Sequence, residues 1–211
     1  MPGEIIQLDD MGLDEAVSRA VSVLRQGGLV VYPTDTSYGL ACDPRIPDAL
    51  GRLIAAKKRD PGLGVPLLFT DVRQCELFHD FNSLERALIH LFWPGALTLV
   101  VTAKAEVPEH VTGGRGSIAV RVPDHDVPRA IARELGSPIV GTSANLSGSP
   151  SPFDVSTAVE QLGDSVDLYL DGGPSAVRLN STIVAVEPNG DIRVYREGVI
   201  SVHALTERIR V

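Results

Sequence analysis

Residues 13–32, LDEAVSRAVSVLRQGGLVVY, change hydrophobic period within a few positions. Leu13, Ala16, Val17, Ala20, Val21 and Leu24 recur at the spacing of one helical face, Gly27 and Gly28 stop the helix, and an apolar run follows that reads as a buried strand. A helix handed straight to a buried strand confines the chain to folds in which helices cover a sheet. The alternation continues along the chain. Helices are predicted over 47–59, 84–92, 127–135 and 155–162 and from about 203 onward, and strands over 65–69, 96–102, 117–122, 139–142, 166–170, 181–186 and 191–195. Pro188-Asn189-Gly190 marks the last two strands as a hairpin. The fold class is therefore α/β, a twisted, mostly mixed sheet flanked by helices. Residues 1–211 read as a single domain, with no repeat or linker.

Composition narrows the function. With 44% hydrophobic residues the chain can fill a core, but no apolar run approaches the roughly 20 residues that span a bilayer. The acidic start MPGEIIQLDD is unlike a leader, and two unpaired cysteines, Cys42 and Cys75, fit a reducing compartment. A cytoplasmic location with no membrane partner is expected. The net charge of −8 argues against a surface that is basic all over, leaving room only for a local basic groove such as the one Lys57-Lys58-Arg59 could line.

Generic catalytic signatures are missing. No Gly-Lys dipeptide supports a Walker loop, the five histidines have no metal-binding spacing, and Ser143 lacks the glycines of a nucleophile elbow. Gly114-Arg115-Gly116 fits the spacing of a dinucleotide loop but leads into a strand, where that loop must open a helix. Instead, small hydroxyls and amides gather at strand ends: Thr34, Asp35 and Thr36 after LVVY, Ser117 and Arg121 around IAV, Thr142, Ser143 and Asn145 after IVG, and Ser181 and Thr182 before IVAV. Ligands of α/β sheets bind beyond strand ends, where such groups orient a polar molecule and Lys57, Arg59, Arg121 and Arg196 could neutralise phosphate or carboxylate. Each also has a plain role. Thr and Ser cap strands, and the lysines complement a helix C-terminus. Arg121 lies opposite Ile118, Val120 and Val122 on its strand, so it needs an anion if that face is covered and is ordinary surface if it is open.

In this arrangement the sequence resembles the YrdC/Sua5 family, the threonylcarbamoyl-adenylate synthases of tRNA modification. The matching blocks are YPTDTSYGL (32–40), Lys57-Lys58-Arg59, WPGALTLV (93–100), SIAVRVPDH (117–125), TSANLSG (142–148), NSTIV (180–184) and YREGVI (195–200), in family order. The resemblance implies a concave, positively lined groove and the conversion of L-threonine, bicarbonate and ATP, with Mg2+ as counter-ion, to threonylcarbamoyl-AMP and pyrophosphate. A separate tRNA threonylcarbamoyl-transferase complex would then modify adenosine 37 of tRNAs that read codons starting with A. It further implies that Thr36, Arg121 and Ser181, with the backbone of Gly141, hold threonine. Lys57, Arg59, Ser117, Ser143, Asn145 and Arg196 would line the ATP site, with Lys57 and Arg59 serving the chemistry. No metal ligands are implied.

Two departures stand out. Arg59 and Pro66 lie two residues further apart than in the family pattern, and Thr70 stands near a position that is often histidine. With about a dozen residues after Arg196, the short, single-domain form is expected, without the linker and C-terminal domain of longer Sua5 relatives. An alternative, from the same resemblance, is a module that binds double-stranded RNA or tRNA without chemistry. A carbamoyl-adenylate step like that of hydrogenase maturation proteins fits less well, because their accessory modules are missing.

Overall fold

In the computed structural model, which describes residues 2–209 and the side chains up to residue 207, the chain opens with strand β1 (Glu4–Gln7) and one helical turn, α1 (Leu8–Met11). Helix α2 (Leu13–Arg25) buries Ala16, Val17, Ala20, Val21 and Leu24, the stripe its spacing sets up. At roughly 1.5–3 kcal/mol for each larger apolar side chain, that face is the helix's main stabilisation. Gly27, at φ 78°, donates to the Leu24 carbonyl at 2.9 Å and ends it in the left-handed conformation that glycine adopts without steric cost. Strand β2 (Val30–Tyr32) is wholly buried and β3 (Gly39–Ala41) returns antiparallel beside it, with Tyr32 opposite Gly39. A Cβ on Gly39 would stand 2.5 Å from Tyr32 Cζ, so the ring needs the glycine.

The middle of the chain supplies α3 (Pro47–Lys57), β4 (Leu67–Leu68), α4 (Val72–Cys75), α5 (Ser83–Phe92), β5 (Leu97–Thr102), α6 (Glu109–Thr112), β6 (Ser117–Arg121) and α7 (Asp126–Leu135). Proline in its first turn starts α3, and a capping box between Asn82 and Glu85 starts α5. The remainder comprises β7 (Ile139–Val140), β8 (Thr142–Ser143), α8 (Val155–Leu162), β9 (Leu168–Asp171), β10 (Thr182–Val186), β11 (Ile192–Arg196) and α9 (Val202–Ile209).

The α/β class is as expected, and the strands divide between two mixed sheets. One has the order β1-β9-β2-β3-β8 and the other β11-β10-β5-β6-β4-β7. The larger core joins them, since Val31 and Leu40 of the first, with the adjoining Leu29 and Tyr38, pack in one cluster with Leu67, Leu97, Leu99, Val120 and Val184 of the second. A smaller core gathers α2 and α7 against β2 and β9. Among the described residues no helix is long and apolar enough to cross a membrane.

Two predicted strands come out differently. The run 139–142 is two short strands in different sheets, β7 and β8, separated at Gly141. Gly141 donates to the Pro66 carbonyl at 2.8 Å, and a Cβ there would lie 2.3 Å from Leu68 Cγ, so the chain crosses from sheet to sheet at a point too tight for a side chain. The run 65–69 shrinks to Leu67–Leu68, because Val65 donates to Val111 of α6 and Pro66 has no N–H to give.

Candidate functional site

The site lies around the link from β2 to β3, where Thr34 closes the turn on itself. Its hydroxyl donates to the Ser37 carbonyl at 2.7 Å and accepts from the Thr36 N–H at 3.0 Å. Thr34 is thereby tied into the turn, and its hydroxyl lies 3.1 Å from that of Thr36, both beside the same small hollow. Thr36 Oγ1 accepts from Arg121 Nη1 at 3.0 Å. The same guanidinium donates to Asp35 Oδ1 at 2.5 Å and to the Gly95 carbonyl at 2.8 Å. Arg121 is only 6% exposed, so its face of β6 is the covered one, and Asp35 is the anion it needed.

On the facing strands, Thr98 of β5 and Ser181 share a hydrogen bond of 2.9 Å, and Arg196 at the end of β11 donates to both the hydroxyl (3.2 Å) and the carbonyl (3.1 Å) of Ser181. The turn beyond is fixed by Thr182, whose hydroxyl donates to the Ile200 carbonyl and accepts from the N–H groups of Gly198 and Ile200.

Between these walls lie two hollows. A small one of about 50 Å³ has Thr36, Ser37, Tyr38 and Asn180 in its lining, and a large one of about 490 Å³ is lined by Arg59, Arg115, Ser117 and Thr98 among others. Six residues belong to both: Leu68, Arg121, Gly141, Ser143, Ser181 and Arg196. The large cavity carries four arginines and no carboxylate among its lining residues, in a chain whose net charge is −8. Negative charge is therefore attracted here and disfavoured over much of the remaining surface.

Lys57 ends α3 and is 2% exposed. Its ammonium donates to the backbone carbonyls of Ser143 and Asn145, and Ser147 N–H returns a bond to the Lys57 carbonyl at 2.8 Å. Burial, with Arg59 nearby, lowers its pKa to about 8. Asn145 holds the rest of the loop through Nδ2 bonds to Leu146 O and Ser149 O and accepts from Ser143 Oγ at 2.5 Å. Lys57 thus lines a third hollow, of about 400 Å³, with Arg59, Ser143 and Asn145, and takes no part in the lining of the large one.

Arg59 lines both. Its Nη2 donates to the Gly64 carbonyl at 2.9 Å, while its buried Nε has no partner. Burial and the charge of Arg115 hold its pKa below the usual arginine value. The structure therefore brings eight of the ten residues named from sequence around the two adjoining hollows, and the other two, Lys57 and Asn145, line the third. Thr70 lines none of these hollows, and its buried hydroxyl has no partner. Sequence reading passed over Arg115, Thr98 and Asn180. The one sequence signal for Arg115 is the Gly114-Arg115-Gly116 stretch, whose spacing also fits a dinucleotide loop.

The sequence profile of the Sua5/YciO/YrdC family, described as telomere recombination, matches residues 22–198. A putative threonylcarbamoyl-AMP synthase of Mycobacterium tuberculosis is 38% identical over 193 residues, covering 91% of this chain and 88% of that protein. The threonylcarbamoyl-AMP synthase of Bacillus subtilis is 34% identical over 197 residues, and this chain spans 57% of its length. Among solved structures, P. abyssi Sua5 complexed with L-threonine superposes with a TM-score of 0.87 at 29% identity, covering 92% of this chain and 57% of that one.

Proposed function

This chain belongs to the Sua5/YciO/YrdC family, and from that membership we propose that it is an L-threonylcarbamoyladenylate synthase, a nucleotidyltransferase that makes threonylcarbamoyl-AMP for tRNA modification. One observation carries the reading: a small polar pocket and a large arginine-lined cavity share a wall that includes Arg121, Ser181 and Arg196. Two substrates of unequal size, one of them polyanionic, would meet across that wall.

In this reading threonine occupies the small pocket, held by Thr36, Arg121 and Ser181, with the backbone of Gly141 beside it. ATP occupies the large cavity against Arg59, Ser117, Ser143 and Arg196, with Asn145 shaping the loop that carries Ser143. The threonine amine adds to carbon dioxide from bicarbonate, releasing a proton and giving a carbamate. A carbamate oxygen then attacks the α-phosphorus, and the bond to the β-phosphate breaks as pyrophosphate leaves. No covalent enzyme intermediate is needed. The chain's contribution is alignment and fixed positive charge where charge spreads.

Arg121 suits the task because three partners already orient it, so little reorganisation accompanies binding. Lys57 acts one step removed, by fixing the carbonyls of the loop that presents Ser143. Among the described residues no group of three or more His, Cys, Asp or Glu is placed to hold a metal ion, so magnesium would arrive with the ATP phosphates. The product would pass to a transferase acting on tRNA.

The test is pyrophosphate release from ATP, omitting threonine and bicarbonate in turn, with the nucleotide product weighed by mass spectrometry. Release that needs both, with a product that contains threonine, is the expected result. Release without threonine, or binding of ATP without turnover, would overturn the reading.

A further inference from the structure

Arg115 is a cation of the large cavity that neither the motifs nor the family resemblance singles out. It sits in the turn between α6 and β6, flanked by Gly113, Gly114 and Gly116, all at positive φ (62°, 74° and 65°). The turn is held by Gly114 N–H bonds to Glu109 O and Thr112 Oγ1 and by Ala103 N–H to Gly116 O. Against it lies the segment after Arg59, the one that is two residues longer than the family pattern. A Cβ on Gly64 would come 2.6 Å from Thr112 O, and one on Gly113 would come 2.7 Å from Gly64 N, so the two backbones touch with no side chain between them. Val65 N–H to Val111 O, at 3.0 Å, ties the contact. The longer loop is thereby stacked on the glycine turn, and each segment projects one arginine into the same cavity.

These two arginines have no ion-pair partner among the described residues. The charge of Arg115 lowers the pKa of Arg59 and that of Asp60 raises it, and Asp60 Oδ1 accepts from the Gly62 N–H. The cavity's four arginines also sort by position. Arg121 and Arg196 lie on the wall shared with the small pocket, whereas Arg59 and Arg115 line the large cavity and not the small pocket. Two like charges that line one cavity are costly when it is empty and become favourable when a ligand supplies the negative charge.

We infer that Arg59 and Arg115 form a two-arginine clamp for the β- and γ-phosphates of ATP, the pair that leaves as pyrophosphate. The identity of the polyphosphate rests on the function proposed above. The geometry then has a direction: the carbamate attacks from the shared wall, the α-phosphorus lies next to it, and the departing oxygen carries its electron pair toward the clamp. An in-line displacement requires that order. Arg115 is a leaving-group binding residue that this chain supplies from its glycine turn.

The test is calorimetric binding of inorganic pyrophosphate to the full chain, compared among wild type, R115E, R115K and R133E. Arg133 is exposed at the end of α7 and lines none of the hollows, so R133E makes the same change in net charge elsewhere. R115E is expected to weaken pyrophosphate at least about tenfold, the scale of a lost charged hydrogen bond, with R115K intermediate and R133E unchanged. In turnover, R115E should raise the KM for ATP and leave that for threonine alone. Equal affinity in wild type and R115E, an equal loss in R133E, or no pyrophosphate binding by wild type would each overturn the clamp. Should wild type bind pyrophosphate yet make no adenylate, the functional reading fails while the binding comparison still decides the role of Arg115.

Discussion

Lys57 donates to the backbone carbonyl of Asn145 at 2.6 Å across 88 positions of sequence, with Ser143 O as its second acceptor. A lysine that the family resemblance assigns to the ATP site is also the clasp of the loop opposite it. Replacing it with methionine keeps an apolar stem but strips two buried carbonyls of their donor, at about 1–3 kcal/mol for each acceptor left unpaired. K57M should unfold at lower urea and lose nearly all adenylate-forming turnover through the loop, which denaturation curves and the pyrophosphate assay would show.

The same residue gives a pH signature. Its folded pKa of about 8 lies below the ordinary 10.5, so between those values the unfolded chain holds a proton that the folded chain has released. Stability from this group therefore rises with pH across that window and is flat below it. A neutral amine still has two N–H groups for two carbonyls. The stability gap between wild type and K57M should widen in favour of wild type from pH 8 to pH 10; a constant gap would refute the depressed pKa.

Arg121 and Asp35 form a pair with side chains only 7% and 15% exposed. Removing one partner strands the other, which typically costs about 3–5 kcal/mol. R121A is expected to unfold far more easily than wild type, and R121K, which keeps the charge but not the fork, should fold with a threonine KM raised at least about tenfold. Chemical denaturation and steady-state kinetics on the two variants separate these effects.

Residues on the shared wall should behave differently from residues on one side of it. T36V is expected to raise the KM for threonine and spare that for ATP, whereas S181A should disturb both, because Ser181 lines both hollows and receives Arg196. Two-substrate kinetics would expose any variant that breaks this pattern.

The crossing at Gly141 is testable by size alone. G141A puts a methyl into Leu68, and overpacking of this kind costs about 1–3 kcal/mol. L68A should recover part of that loss in the double variant. Additive destabilisation in thermal melts would mean that the two do not meet.

Much of this was legible in the sequence because it is local. The helical stripe of α2, the hydroxyls after β2 and the odd placement of Arg121 are visible within a few residues, and Arg121 needed only to be found covered. What was hidden depends on distant partners. Strand β1 is four residues whose identity rests on parallel pairing with β9, Ile6 opposite Leu170. The division at Gly141 depends on Leu68 arriving from another strand. Arg115 looked like part of a loop motif with the wrong sequel, and its role emerges only when the segment after Arg59 lies against it.

Arg196 stands on the last strand, yet its bonds are to Ser181, and Ser181 is bonded to Thr98 on a strand laid down much earlier. During synthesis, then, the hydroxyls and the other three arginines all precede the strand that closes the wall between the hollows. The boundary between the two hollows is therefore complete only once β11 has paired with β10 and brought Arg196 onto Ser181.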